Sequence, residues 1–233
     1  MPQQEPLSPP LLLAASLLAA LPAAWIALAA DAVVAGGVGS LAGIPWNGLA
    51  LSPSFILRPV QASGGQPGPV LWAVVLFAGP VGTAVLGYTA HLLAEGVGAA
   101  AWLRVAALEW SAFALLRLPA LMFAGVAPDG RGPVAELYAR LGEPQSGRWS
   151  VAPLAVLVLG GAAALVGRGA IAVGREWMRV DGKEFRRRLV LVLAGYPALA
   201  ALLAWSVLAP WAPAGWMAAW LVLTLASLRV LVS

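Results

Sequence analysis

A chain of 233 residues that is 61% hydrophobic and only 10% charged cannot cover a water-facing surface, because soluble domains average about 25% charged residues. Its net charge of +4 comes from arginines and a single lysine, with no basic patch interleaved with aromatics, which argues against a nucleic-acid groove. There is no cysteine, so disulfides and thiolate metal sites are excluded. These bounds leave an all-α, polytopic integral membrane protein formed by residues 1–233 as one membrane domain.

The N-terminal MPQQEPLSPP is polar and carries no positive charge before the first apolar run. A secretory signal needs a basic n-region and a short apolar core, so residues 11–30 read as a retained first helix. The Ala-x-Ala-like spacing at 19–24 is the one feature favouring cleavage. Five more apolar segments follow, at 70–93, 98–124, 151–173, 189–209 and 213–232. At 1.5 Å rise per residue, about 20 residues cross about 30 Å of hydrocarbon. Helices satisfy every backbone polar group inside lipid, and the runs lack the period-two polarity of barrel strands. About six transmembrane helices are therefore expected.

The loop at 31–69 is long and rich in Gly and Pro. Its stretch PWNGLALSPSFILRPV alternates short apolar pieces with Asn-Gly, Ser-Pro and Arg-Pro, which suits a small hairpin or a re-entrant loop lying on the helices. In the loop at 126–150, Pro133 suits a helix start, Val134, Leu137 and Leu141 share a face, and Gly142 and Pro144 end it. A short amphipathic interfacial helix is expected there.

Orientation follows from Arg175, Arg179, Lys183, Arg186, Arg187 and Arg188 in the loop GREWMRVDGKEFRRR. Positive residues mark the cytoplasmic side. Counting spans from that loop places both termini in the cytoplasm, in a bacterial-type inner membrane. The same residues can also meet anionic lipid headgroups.

Small residues mark packing faces. Gly79, Thr83 and Gly87 recur every four residues on the second span with His91 one step further, and Gly39 and Gly43 repeat the interval. Such columns let helices approach closely in lipid. Three ionisable residues lie in or beside the third span: Arg104, Glu109 and Arg117. Glu109 and Arg117 are eight residues apart, about 12 Å along a helix axis, so their partners should come from other helices or from another subunit. Arg104, near the end, suits snorkelling. His91 and Glu109 are the candidate ligand or proton site; as a functional imidazole, His91 suits an axial ligand to a chlorophyll-type magnesium or a proton relay, and the expectation that outweighs both is a histidine simply hydrogen-bonded at the interface. The chain has no G-x-x-x-x-G-K phosphate loop and no G-x-S-x-G elbow.

Three segments in order resemble the site-2 protease family of intramembrane zinc metalloproteases. Gly43-Ile44-Pro45 resembles the turn that follows the family's H-E-x-x-H. Counting back places that motif on Asp31-Ala32-Val33-Val34-Ala35. Ala78-Gly79-Pro80 resembles the second element, and RLPALMFAGVAPDG, ending at Asp129-Gly130 and followed by Arg131, resembles the third. The chain departs from the pattern at Thr83, where the family often has Asn, and in lacking the Asn and Pro shortly before Asp-Gly; Pro119 lies further back.

In H-E-x-x-H two histidines on one helical face hold zinc and the glutamate takes a proton from the metal-bound water. Here the corresponding positions are Asp31, Ala32 and Ala35, and alanine can do neither. The resemblance thus implies a pseudo-protease with no catalytic residues and no intrinsic metal or cofactor. The expected function is a structural or accessory subunit that packs against other integral membrane proteins in a photosynthetic or respiratory assembly. Its 11 tryptophans and apolar faces suit contacts with lipid, quinone, carotenoid or chlorophyll. The alternative is a small-molecule or ion transporter that uses Glu109 and His91.

Overall fold

The computed structural model describes residues 9–51, 57–61, 67–96, 100–126, 132–142 and 145–178, with isolated positions at 130, 182, 187 and 189–190. The two last expected spans, 189–209 and 213–232, lie outside the described residues beyond Val190, as do Arg179, Lys183, Arg186 and Arg188 of the basic loop.

Among the described residues five α-helices run in order: α1 (Pro9–Leu41), α2 (Pro69–Glu95), α3 (Ala101–Val126), α4 (Pro133–Leu141) and α5 (Ala152–Met178). A two-stranded sheet, β1 (Trp46–Leu51) and β2 (Leu57–Gln61), separates α1 from α2, and a 3-10 turn at Gln145–Val151 leads into α5. Among the described residues four segments are long and apolar enough to cross a membrane: Ala14–Leu41, Pro69–Glu95, Trp102–Val126 and Gly147–Gly174. They correspond to the first four expected spans.

Local sequence explains most helix ends. Pro69 and Pro133 stand at the first turns of α2 and α4, where a missing N–H costs no intrahelical bond. The expected amphipathic helix is α4, and Gly142 closes it in the left-handed conformation at φ 68°, which a residue with Cβ resists. Val134 and Ala135 turn inward while Leu141 stays exposed, so the buried face is narrower than the sequence suggests. Gly125 of α3 lets α4 settle closely, since a Cβ there would lie 2.5 Å from the Val134 Cβ.

Two expectations need correction. The first helix does not end at residue 30 but continues to Leu41, so Asp31 and Gly39 are helical. That extension contains Gly36, Gly37 and Gly39, and each glycine costs a helix about 1 kcal/mol relative to alanine. Tertiary contact offsets the cost: the Trp46 ring covers Gly36 so closely that a Cβ would lie 2.5 Å from it. Gly43, in turn, is not part of a packing face. It is exposed at φ 80° with nothing near its missing Cβ among the described residues, so it serves the turn after α1. Gly39 is buried within α1.

The hairpin expected between the first two spans is present, which adds a small sheet to an otherwise helical fold. β1 and β2 pair antiparallel with Leu49 opposite Pro59, Ala50 opposite Arg58 and Leu51 opposite Leu57. The register shifts between Trp46 and Leu49, where Gly48 adopts φ 100°, as a bulge requires. Among the described residues the sheet has two strands, so each leaves one edge unpaired, where a proline such as Pro59 is tolerated. The sheet lies against α1 through both strands. Trp46→Ala should cost about 2 kcal/mol by uncovering Gly36, read as faster amide exchange across residues 36–51 by mass spectrometry.

α3 is the central helix. Of its most apolar stretch 72% is buried inside the protein, against no more than 33% for α1, α2 and α5. It packs against α1, α2, α4 and α5, and its Leu108, Leu115, Leu116 and Leu121 meet Leu159 and Val166 of α5 in one apolar core. α3 carries Arg104, Glu109 and Arg117 within its span, and among the described membrane-length helices it is the one most buried inside the protein.

Candidate functional sites within the helix bundle

The central position of α3 determines how its charges are met. Ser16 of α1 donates a hydrogen bond to Glu109 Oε1, and both side chains are buried. Further along the same seam, Arg117 Nη2 pairs with Asp31 Oδ2 of α1, with both side chains nearly covered. Expectation and structure agree here: Glu109 and Arg117 do not pair with each other, and α1 supplies a partner to each. An isolated charge in a low-dielectric interior is costly, so such groups persist when paired.

α2 completes the seam. Gly79 lies directly on Asp31, so that an added Cβ would collide with its carboxylate. Gly82 lies on Val34, where a Cβ would come within 2.7 Å of Val34 Cγ1. Gly87 faces α3 instead, with a Cβ position 2.7 Å from the Ala114 Cβ, and Thr83 between them is buried. The small-residue column thus serves two neighbours, α1 at one end and α3 at the other.

At the opposite end of α2 the groups are different. His91 is buried, and its Nε2 faces Glu95 Oε1 at 3.4 Å, one helical turn on. The same carboxylate oxygen is 3.9 Å from Arg168 Nε of α5. Among the described residues His91 Nδ1 has no hydrogen-bond partner, and it faces Gly169, where a Cβ would sit 3.1 Å away. Arg104 is buried rather than snorkelling: its Nε donates to the Ala94 carbonyl at 2.8 Å. It caps the end of α2, where carbonyls lack intrahelical partners and cations are favoured.

The two members of the candidate ligand or proton site lie in separate seams. His91 sits between α2 and α5, whereas Glu109 faces α1. Leu108 occupies the α5 side beside Gly169, and one residue along a helix rotates the side chain by about 100°. Of the segments that resemble the protease family, the structure brings Asp31 and Gly79 together, while Asp129 lies outside the described residues. Ala32 is buried beside the ion pair on α1. Among the described residues, no three His, Cys, Asp or Glu side chains are grouped so as to hold a metal ion. Of the headgroup-loop residues, Arg175 lies in the last turn of α5 and Arg187 is among the isolated described positions.

Sequence reasoning passed over Ser16, Glu95 and Arg168. Glu95 stands four residues after His91, a spacing that puts the two on one helical face. Arg168 is the one charged residue in the stretch 152–174 of α5, and that was a usable signal. Ser16 carried none, because a lone serine in an apolar run is as often a packing residue. No family model, curated protein or solved structure matches the chain.

Proposed function

We propose that the chain is a non-catalytic structural or accessory subunit of a larger integral membrane complex, of the photosynthetic or respiratory kind, built on a pseudo-protease-like scaffold. In this reading it has six spans, lies in a bacterial-type inner membrane with both termini cytoplasmic, and binds other membrane proteins and lipids. The observation that carries the reading is the use of Asp31. It stands where the resembled family has its first zinc-binding histidine, and it is committed to an ion pair with Arg117 under the close cover of Gly79. The next positions, Ala32 and Ala35, offer neither a ligand nor a base. Wide apolar surfaces on α1 and α2, including Leu18, Trp25, Val70 and Val85, suit contact with neighbouring membrane proteins, lipid or pigment.

One observation favours the alternative reading as a small-molecule or ion transporter. Glu109 is a carboxyl deep in the bundle with a hydroxyl as neighbour, and intramembrane ionisable residues often mark transport paths. Combining His91→Gln with Glu109→Gln distinguishes the two. After mild-detergent extraction from native membranes, the tagged chain is expected to co-migrate with a fixed set of proteins at constant stoichiometry. The double variant should retain that set. Loss of solute or ion uptake in the double variant, with the chain migrating alone in both forms, would replace the subunit reading with the transporter.

A further inference from the structure

We propose that Arg168 holds the phosphodiester headgroup of an anionic membrane lipid on the flank of α5, at the level where α2 ends. The inference is independent of whether the chain acts as a subunit or a transporter. α2 stops at Glu95 and α3 begins at Ala101, and the Arg104 guanidinium binds the Ala94 carbonyl at the same level. This is where the apolar spans give way to polar groups. α5 passes the level and continues for ten more residues to Met178, with Gly174 covered closely by Leu189.

Arg168 is 71% exposed on a helix otherwise apolar enough to span a membrane. A guanidinium in that position needs acceptors, because hydrocarbon supplies none. The protein supplies an incomplete one. Glu95 Oε1 lies 3.9 Å from Arg168 Nε, beyond ordinary hydrogen-bond length, and also faces His91 Nε2 at 3.4 Å. Gly169 allows this approach, because a side chain there would meet the His91 ring. The carboxylate is thus fixed from the α2 side and touches the guanidinium only along its Nε edge. The two Nη groups have no partner among the described residues.

A planar fork with both outer amino groups free matches two oxygens of a phosphate. Leu92 and Leu93, exposed on α2 just before Glu95, offer apolar surface for acyl chains at the same level. A soluble phosphate would make no use of that surface, so the geometry favours a lipid. Arg168 precedes Arg175, the first residue of the basic run, by seven positions, so the headgroup contacts expected of that run do not depend on it.

The test uses the full chain in mild detergent, doped with equal amounts of phosphatidylglycerol and phosphatidylcholine and examined by native mass spectrometry. The wild-type chain is expected to retain phosphatidylglycerol in preference to phosphatidylcholine. Arg168→Gln should reduce that preference about fivefold, the effect of one basic residue near an anionic surface, with no change in melting temperature. Excess inorganic phosphate should leave the bound lipid in place. Equal retention of both lipids, an unchanged preference in Arg168→Gln, or displacement by inorganic phosphate would each overturn the proposal.

Discussion

Arg117→Leu is expected to destabilise the protein by about 3–5 kcal/mol, the usual cost of removing one partner from a buried ion pair. Asp31 would be left under Gly79 with its main cation gone. Asp31→Asn should be damaging for the converse reason, because Arg117 is nearly covered by the bundle. The double variant Asp31→Asn/Arg117→Leu is expected to be more stable than the sum of the single losses implies. A coupling of about 0.5–3 kcal/mol is typical of contacting residues. Unfolding in mixed micelles with increasing SDS measures all four proteins. Additive losses would mean that the pair does not hold α1 to α3.

Gly79→Val and Gly87→Val should each cost about 1–3 kcal/mol by overpacking. The expected damage differs in location. At Gly79 the added side chain meets the Asp31 carboxylate and separates α2 from α1; at Gly87 it meets Ala114 and separates α2 from α3. Among the described residues nothing lies near the missing Cβ atoms of Gly160 and Gly161 on α5, so Gly160→Val should change stability by no more than about 0.5 kcal/mol. Similar effects at Gly79 and Gly160 in the same unfolding assay would show that the column is not a close-packed face.

The contrast between these glycines shows what the sequence makes legible. Four-residue spacing on the second span reports a packing face because the helical period fixes which residues share a side. Which neighbour lies on that face is a tertiary fact, and α2 uses one column against two helices. Gly43 fits the same spacing but lies past the end of α1, where its φ of 80° serves a turn. The apolar runs locate four spans to within a few residues at most ends. The exception is α1, whose last 11 residues look like loop because they hold Asp31 and three glycines. Partners 86 residues away in sequence for Asp31, and in the hairpin for Gly36, make that stretch helical.

The same reasoning applies to the charged groups. The need for Glu109 and Arg117 to find partners was readable from the cost of burying charge, whereas the identity of Ser16 and Asp31 as those partners was not. Arg104 could have bent toward the membrane surface; instead the C-terminal end of α2 lies within its reach and takes the guanidinium. His91 and Glu109 could have shared a site, but consecutive positions on α3 face different helices and keep them apart.

If contact with other proteins is this chain's work, the mass of the particle it occupies in its native membrane is the decisive quantity. Native mass spectrometry of material released directly from those membranes should show the 23.8 kDa chain within one dominant assembly containing different polypeptides in fixed ratio. A particle holding this chain alone or only copies of it, or one carrying stoichiometric zinc on this chain, would contradict the account.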